Sequence, residues 1–442
     1  MQQPRSDRTR YAIVGTGARA EMFVRALAID HRDRGELVAL ADVNQTRMDY
    51  HNDRLAELGV EPVPTYRAAD FATMLEREAV STVIVTTVDR FHDQYIVRAL
   101  QAGRDVITEK PMTIDVPRCR RILEAQARSG RGVTVTFNYR YNPVHERVRE
   151  LLASGRIGEI GSVHFEWLLD VRHGADYFRR WHRDKASSGG LLVHKASHHF
   201  DLVNWWIDAF PEAVYGLGRR FFYGPENGAA HGMGRPYERA HGAPSAADDP
   251  FALRLADNPA LKALYLEAEH EDGYYRDQNV FGPGITIEDD MAVVVRYTSG
   301  ATLTYHLTAY APWEGYRLMV NGSLGRLELE VVESSHVDPK HAATVKGAAL
   351  HGAEAPAEDG WSRLLVRPFW EPPVEIPLPR ERAGHGGADR RMLAVLLGGE
   401  RDPLGRMATQ RDGALSLLTG LAANRSFETG LPVRVADLLQ VP

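Results

Sequence analysis

The fold of the first part of this chain is decided by one stretch, Tyr11-Ala12-Ile13-Val14-Gly15-Thr16-Gly17-Ala18-Arg19-Ala20. It opens on an apolar run that is typical of a buried parallel strand. In the G-x-G-x-x-A loop that follows, the first glycine permits a tight turn. The second lets the backbone approach a pyrophosphate, and the small Ala20 lets a helix pack on the strand. A helical pattern over 21–29 then offers unpaired N–H groups and a positive dipole end to phosphate. The stretch predicts a dinucleotide site that includes Gly15, Thr16, Gly17, Ala18 and Arg19.

A second apolar run, residues 37–41, ends at Asp42. This is the distance from the glycine loop at which a Rossmann unit places its ribose-binding acid. A carboxylate there accepts hydrogen bonds from both ribose hydroxyls and repels a 2′-phosphate, so we expect NAD rather than NADP. The alternative is that Asp42 only caps the helix that follows.

Strands and helices continue to alternate after Asp42. Strand patterns cover 82–86, 105–108 and 133–137, and helical patterns cover 91–102 and 115–128. Such alternation predicts an α/β domain over residues 1–135, a right-handed, doubly wound parallel sheet of the Rossmann type. Ligands bind outside the carboxyl ends of such strands. The further cofactor-binding candidates that follow these strands are Thr86, His92, Glu109, Lys110 and Asn138.

Length and composition exclude several classes of protein. A chain of 442 residues suits two domains, 1–135 and 136–442. The formal net charge of −6 has no basic excess for nucleic acid, so no nucleic-acid partner is expected. Cys119 is the only cysteine, which leaves no disulfide and no cysteine cluster for zinc. We see neither a signal peptide nor a membrane span, so the expected location is cytoplasmic, with no membrane partner.

The remainder of the chain predicts an α+β domain with a large, mostly antiparallel sheet. Its strand patterns cover 214–222, 291–297, 301–309, 316–321 and 325–332. Residues 223–285 interrupt them as a Gly-, Pro- and Ala-rich insertion with a helical pattern at 257–268. An insertion this long in a compact domain is usually functional or flexible, and its residues 274–279 could reach a substrate.

Four motifs together resemble the Gfo/Idh/MocA oxidoreductase family: the glycine loop, residues 86–92, Glu109-Lys110-Pro111, and Asn138-Tyr139-Arg140-Tyr141-Asn142-Pro143. The resemblance covers nearly the whole chain. It implies that Lys110 lies between the nicotinamide and a substrate hydroxyl, where a partly desolvated lysine stabilises a developing alkoxide. It also implies a sugar substrate near Tyr139 and a homo-oligomer (a dimer or tetramer) assembled through one sheet face. The alternative for Lys110 is a surface lysine paired with Glu109.

A dense polar cluster follows Gly189-Gly190, and it contains His194, Lys195, His198, His199 and Asp201. Positions 194, 198 and 201 are spaced to share one helical face. In the family, this segment resembles Gly-Gly followed by Asp-x-x-x-His, and the histidine acts as acid or base near the substrate. Here His198 stands at the histidine position and His194 replaces the aspartate. An imidazole suits proton transfer near neutral pH.

Two other interpretations of this cluster remain open. His194, His198 and Asp201 are types of residue that bind zinc, but hydride transfer to NAD needs no metal, so we expect none. The histidines could also be capping and core residues. We therefore take Lys110, His194, Lys195 and His198 as catalytic candidates, and His199 and Asp201 as substrate-binding candidates.

Cations and aromatic residues are concentrated just before this cluster, and the candidates are Arg172, Arg179, Arg180 and His182. Guanidinium groups clamp carboxylates, phosphates and sulfonates, so the segment predicts a wall that binds an acidic sugar. The alternative is a solvated basic face.

The segment Gly384-His385-Gly386-Gly387 resembles one in the NAD-dependent glycosidases of this superfamily, and it adds His385 as a substrate-binding candidate. Together with the chain length and with His194 in place of the family's aspartate, this segment favours a glycoside hydrolase. Such an enzyme oxidises C3, eliminates the aglycone, adds water and reduces the product, so that NAD is recycled. The cationic segment favours a sulfoquinovoside as substrate. The alternatives are an ordinary NAD-dependent sugar dehydrogenase that releases NADH, and a non-catalytic NAD sensor.

Overall fold

Two sheets organise the computed structural model, which describes residues 8–338, 360–379 and 387–441. The first sheet has seven strands in the order β15-β6-β5-β4-β1-β2-β3, and the second has nine in the order β14-β13-β12-β11-β7-β10-β9-β8-β16. The predicted fold class is confirmed: a Rossmann domain is joined to a domain built on a mostly antiparallel sheet.

Six strands of the first sheet, β1 to β6 in chain order, run parallel because strands and helices alternate along the chain. These strands are β1 (Thr9–Val14), β2 (Gly35–Asp42), β3 (Thr65–Arg67), β4 (Thr82–Val85), β5 (Asp105–Thr108) and β6 (Val133–Val135). The strand order reverses at β1, which pairs with both β2 and β4. Ligands of open α/β sheets bind in the crevice at such a reversal, outside the carboxyl ends of the strands.

Five helices cover the faces of this sheet: α1 (Ala20–Arg25), α2 (Gln45–Glu57), α3 (Phe71–Arg77), α4 (His92–Gln101) and α5 (Val116–Ser129). Their starts are set by short polar side chains. Asn44 caps α2 by accepting from the N–H of Arg47, and Asp115 caps α5 by accepting from the N–H of Arg118. Helix α5 ends at Gly130, which adopts the left-handed conformation that glycine tolerates best.

The second sheet comprises β7 (Ile160–Asp170), β8 (Pro211–Arg219), β9 (Asp290–Tyr297), β10 (Thr302–Ala311), β11 (Glu314–Gly322), β12 (Gly325–Ser334), β13 (Trp361–Pro368), β14 (Val374–Ile376) and β16 (Val433–Arg434). Only the β7–β10 pair is parallel among the pairs described. Burial alternates along β9, where Met291, Val293 and Val295 face the core while Val294 is exposed. This is the period-2 pattern of a sheet with one buried face.

The helices of the second domain are shorter and less regular. They are α6 (Pro143–Ala153), α7 (Val171–Arg179), α8 (Lys185–Ser188), α9 (Leu191–His194), α10 (Ser197–Ile207), α11 (Pro225–Ala230), α12 (Pro259–Leu261), α13 (Glu269–Asp272), α14 (Ala388–Leu396), α15 (Gln410–Thr429) and α16 (Val435–Leu438). The helix predicted at 257–268 is broken: α12 is followed by a π-helical turn, Lys262–Leu266. Among the described residues, no helix is long and apolar enough to cross a membrane.

The C-terminal segment returns to the first sheet. Strand β15 (Ala408–Thr409) pairs antiparallel with β6, and α15 then places Ala414 and Leu417 in the core of the Rossmann domain. A buried ion pair between Arg140 and Asp201, with nitrogen–oxygen distances of 2.7 and 2.6 Å, joins the segment after β6 to α10. These contacts hold α9 and α10 against the carboxyl ends of the parallel strands.

Candidate active site

A cleft of about 720 Å³ lies between the carboxyl ends of the parallel strands and the second domain. One wall carries the glycine loop, Asp42 and the residues that follow β4 and β5. The opposite wall carries residues of α7, α9 and α10, together with residues 261–276 of the insertion. Most of the cofactor candidates and some of the substrate candidates therefore line one continuous space.

The glycine loop has the backbone geometry that a dinucleotide requires. Gly15 has a φ of 91°, and a Cβ atom there would lie 2.5 Å from the backbone nitrogen of Thr87. At Gly17, by contrast, a Cβ atom would meet only the Tyr265 hydroxyl, at 3.6 Å. Gly15 therefore allows the loop to pack on the segment after β4, and Gly17 leaves its backbone open to a ligand. The loop fits the pyrophosphate of NAD, with the N-terminus of α1 directly behind it.

Asp42 lies at the end of β2 and faces this loop. Its Oδ2 atom accepts hydrogen bonds from Thr16 N at 2.5 Å and from Thr16 Oγ1 at 3.0 Å. Its Oδ1 atom accepts one from Asn44 N at 3.0 Å. A carboxylate held at this place fits the ribose of NAD.

Other cofactor candidates support the loops around the cleft. Thr86 Oγ1 donates to the Gly15 carbonyl at 2.5 Å, and the ring nitrogens of His92 contact the carbonyls of Pro111 and Thr87 at 2.8 and 3.0 Å. Arg19 donates to Glu109 at 2.6 Å. Asn138 donates to Asp389 at 2.8 Å, and Asp389 in turn pairs with Arg19.

Lys110 projects from the segment after β5 into the cleft. Its ammonium group lies 3.2 Å from the carbonyl oxygen of His194 and 3.4 Å from the Nε2 atom of the same residue. Burial is the main reason that the pKa of Lys110 falls to about 8. A lysine with such a pKa can exchange a proton with a substrate hydroxyl near neutral pH.

His194 forms a dyad with Asp89, a residue of the segment after β4. The His194 Nδ1 atom lies 2.5 Å from Asp89 Oδ2, and both side chains are buried. Burial and the charge of Lys110 lower the pKa of His194, so its imidazole is neutral in neutral solution. Burial raises the pKa of Asp89, while Lys110 and Arg180 oppose that shift. With the Nδ1 hydrogen donated to Asp89, the Nε2 atom facing Lys110 is left able to accept a proton.

His182 packs against this dyad, with its ring centroid 4.0 Å from that of His194. Asp89, His182 and His194 are the only metal-binding combination found among the described residues, with one donor atom of each within 4.8 Å of the others. However, the positive charges of Lys110, Arg180 and Lys195 all act on His194. They repel a divalent cation, so the absence of a catalytic metal remains our prediction.

A second group of side chains at the cleft combines Lys195 with the aromatic rings of Tyr139 and His198. Lys195 Nζ donates to the Tyr139 hydroxyl at 2.8 Å and lies 5.3 Å from the ring centroid of Trp167. His198 stacks on Tyr139 with 4.3 Å between ring centroids. Burial raises the pKa of Tyr139, which keeps its hydroxyl protonated. These side chains form a second group that can transfer a proton.

Two members of the predicted cluster lie away from the cleft. The helix is interrupted between α9 and α10, where the N–H of Ala196 reaches back to the carbonyl of Leu191, so positions 194, 198 and 201 do not share one regular face. Asp201 pairs with Arg140, and His199 contacts the Tyr305 hydroxyl at 2.6 Å through Nδ1 and stacks on Trp167. Both are buried within the second domain.

The cationic segment is also divided by the fold. Arg179 is fully buried and donates to the carbonyl of Phe251 at 2.8 Å, and Arg172 lies 4.0 Å from Asp170. Only Arg180 and His182 of the four candidates in this segment line the cleft. His385 lies outside the described residues.

Several residues that line the cleft were not among our sequence candidates: Asp89, His173, Tyr177, Tyr265 and Asp272. Asp89 belongs to the motif at 86–92, and its place after β4 was the available signal. Arg276 pairs with Asp176 at 2.7 Å, next to Arg180 at 3.2 Å from the same carboxyl group. Tyr274 and Arg276 belong to the run 274–279 of the insertion, which the sequence suggested could reach a substrate, and both line the cleft.

A Rossmann domain whose glycine loop and Asp42 line the same cleft as the half-buried Lys110 is typical of an NAD-dependent oxidoreductase. Comparison with known families supports this class. Residues 9–137 match a model described as "Oxidoreductase family, NAD-binding Rossmann fold". Residues 149–435 match a model described as "Oxidoreductase family, C-terminal alpha/beta domain". The chain belongs to the Gfo/Idh/MocA oxidoreductase family.

Individual relatives agree with this assignment. YteT of Bacillus subtilis (strain 168), which its name describes as an oxidoreductase, is 35% identical over 97% of this chain and 98% of its own length. An inositol 2-dehydrogenase of Gluconacetobacter diazotrophicus is 32% identical over 44% of this chain and 53% of its own.

Among solved structures, the aldose-aldose oxidoreductase of Caulobacter crescentus has a TM-score of 0.61 at 16% identity, covering 97% of this chain and 99% of its own. The WlbA dehydrogenase of Bordetella pertussis, solved with NADH and UDP-GlcNAcA, has a TM-score of 0.61 at 18% identity, covering 97% and 98%. At these identities, the two structures show a shared fold.

Proposed function

We propose that this enzyme acts on a sugar, and that it cleaves a glycosidic bond by transient oxidation at C3. The observation that carries the proposal is the presence of two separate proton-transfer groups in one cleft. Lys110 with the Asp89–His194 dyad forms the first, and Lys195 with Tyr139 and His198 forms the second. A simple dehydrogenation needs one general base, whereas elimination and water addition need more. A relative named as an inositol dehydrogenase supports a polyhydroxylated ring as substrate.

The reaction divides between the two groups. NAD bound in this cleft would supply reversible hydride transfer at C3, so that the net reaction would be hydrolysis. Lys110 takes the proton of the C3 hydroxyl, and His194, oriented by Asp89, removes the C2 proton that the neighbouring ketone has made acidic. The group around Lys195 and Tyr139 protonates the departing aglycone oxygen and then handles the water that adds in its place.

An anionic substituent on the sugar is supported by the charges at the cleft. Arg180 and Arg276 share the single carboxylate of Asp176, at 3.2 and 2.7 Å, so one positive charge remains in excess. Guanidinium groups bind sulfonates and carboxylates with paired N–H donors. A sulfoquinovoside fits this requirement. Replacing Arg276 by Met is expected to raise KM for an anionic glycoside and leave KM for the matching neutral glucoside unchanged. An equal effect on both substrates would remove this part of the proposal.

The decisive experiment incubates the NAD-loaded enzyme with aryl glycosides, including a sulfoquinovoside, in deuterated water. Hydrolysis is expected to release the aglycone without net NADH and to place deuterium at C2 of the freed sugar. Stoichiometric NADH with an intact glycosidic bond would instead identify an ordinary sugar dehydrogenase. Lys110→Met is the matched control, because it should abolish either reaction.

The outer face of the second sheet supports the proposed homo-oligomer. Tyr215, Leu217 and Val294 are exposed there, and Tyr215 and Val294 are register partners. Exposed apolar patches on a sheet commonly mark subunit contacts. Light scattering should give the mass of a dimer or tetramer, and Leu217→Glu should reduce it to that of the monomer. A monomeric mass for the unaltered protein would refute this assembly.

A further inference from the structure

Helix α2 begins three residues after the ribose-binding Asp42, and its first turn is capped by a residue from the distant insertion. Glu271 of α13 accepts hydrogen bonds from Gln45 N at 2.8 Å, from Thr46 N at 2.7 Å and from Thr46 Oγ1 at 2.7 Å. Backbone N–H groups at a helix N-terminus attract anions. Glu271 therefore supplies a carboxylate where the chain would otherwise offer donors to a phosphate.

Two arginines next to Asp42 are engaged by the same part of the insertion. Arg47 donates to Asp272 at 2.6 Å and to the carbonyl of Leu264 at 3.0 Å. Arg67 donates to Glu271 at 3.0 Å and to the carbonyl of Val43 at 2.5 Å. In Rossmann enzymes that use NADP, an arginine near the end of the second strand accommodates the 2′-phosphate. Here both arginines already have carboxylate partners.

Glu271 keeps its charge under working conditions. Burial tends to raise the pKa of Glu271, but the hydrogen bonds from Gln45 and Thr46 outweigh it and lower the pKa to about 2. Asp272 is paired with Arg47 and lines the cleft. A 2′-phosphate on the adenosine ribose would meet three carboxylates, those of Asp42, Glu271 and Asp272, and only guanidinium groups that are already paired.

We infer that Glu271 and Asp272 are specificity-determining residues that exclude NADP. They act through Arg67 and Arg47, and they bring part of the cofactor selection into a domain that is far away in sequence. Without the charges of Glu271 and Asp272, only Asp42 would repel a 2′-phosphate, which could then bind the guanidinium groups of Arg47 and Arg67 and the N-terminus of α2. The inference concerns cofactor selection, so it holds whether the net reaction is hydrolysis or oxidation.

The test measures the Kd of NAD and of NADP by calorimetry for the unaltered protein and for Glu271→Gln, Asp272→Asn and the double variant. The amide replacements keep the side-chain volume and remove the charge. We expect the ratio of Kd(NADP) to Kd(NAD) to fall at least about tenfold in the double variant, which corresponds to ~1.4 kcal/mol. Adding Arg47→Ala to the double variant should restore the original ratio, because the gain depends on the released guanidinium.

Glu269→Gln is the matched control, because Glu269 lies on the same short helix and pairs with Arg239 at 2.9 Å. It should leave the ratio unchanged. An unchanged ratio in the double variant, with an unaltered circular-dichroism spectrum and NAD affinity, would overturn the inference. Should the double variant not fold, the single Asp272→Asn variant decides, since Asp272 lines the cleft: a lower ratio supports the inference and an unchanged one refutes it.

Discussion

Replacing Asp89 by Asn tests whether the Asp89 carboxylate orients His194 and sets the pKa of Lys110. Asp89 contacts His194 at 2.5 Å, and its negative charge also raises the pKa of Lys110. The asparagine keeps the shape of the side chain but removes the charge. We therefore expect two separate effects: a loss of rate from the poorly oriented imidazole, and a shift in the pH profile from the altered lysine.

The size of the first effect follows from the hydrogen bond that is weakened. A hydrogen bond to a charged group contributes about 1.5–3 kcal/mol. Since about 1.36 kcal/mol changes a rate tenfold, kcat/KM should fall roughly 10- to 150-fold.

The second effect has a definite sign. Lys110 must lose its proton to act as a base, so kcat/KM of the unaltered enzyme should rise with pH and level off above about 8. The Asp89 carboxylate favours the protonated ammonium, and its removal lowers the pKa of Lys110. The rising limb of the profile should therefore move to lower pH in Asp89→Asn.

The assay follows product formation from the best substrate over a range of pH, with the Kd of NAD measured in parallel. A shifted limb with an unchanged NAD affinity and melting temperature supports the dyad. A rate within twofold of the unaltered enzyme, or a limb that does not move, would show that Asp89 is only a packing residue and that His194 acts without it.

Three further results are expected. Arg140→Met should lower the free energy of unfolding by about 3–5 kcal/mol in a denaturant titration, because it leaves the Asp201 carboxylate buried without its ion-pair partner. As the control, Arg147→Met removes an exposed ion pair and should change the free energy of unfolding by at most about 1 kcal/mol. Equal effects of the two substitutions would contradict the role of the buried pair. Lys195→Met should slow aglycone release by roughly 10²–10⁴-fold in a stopped assay and leave the affinity for NAD unchanged. A loss of NAD affinity of the same size would show that Lys195 binds the cofactor instead of transferring a proton. Dialysis against a chelator should leave the activity intact, and elemental analysis should find less than one metal ion per chain. A loss of activity that zinc restores would show that Asp89, His182 and His194 bind a metal ion.

The Rossmann domain and its glycine loop were predictable from the sequence. Short-range patterns carry this information: an apolar strand, a glycine loop and a helix follow one another within twenty residues, and Asp42 closes the next strand. Each step depends on neighbours along the chain, so local physical rules suffice. The alternation of strands and helices predicts right-handed crossovers and a parallel sheet, and strands β1 to β6 of the structure are parallel. The histidine cluster was visible in its local sequence, whereas the role of Lys110 was implied by the family resemblance of Glu109-Lys110-Pro111.

Tertiary structure alone decided which polar residues share the cleft. The helical spacing of His194, His198 and Asp201 suggested one face, but the break before α10 sends Asp201 to Arg140 and leaves His194 facing Asp89, 105 residues away. The insertion likewise reaches α2 across more than 220 residues, which no local pattern specifies. Such long-range contacts depend on how the hydrophobic cores of the two domains pack against each other. The hydrophobic effect has no preferred direction, so the polar groups that it brings together show no periodic pattern in the sequence.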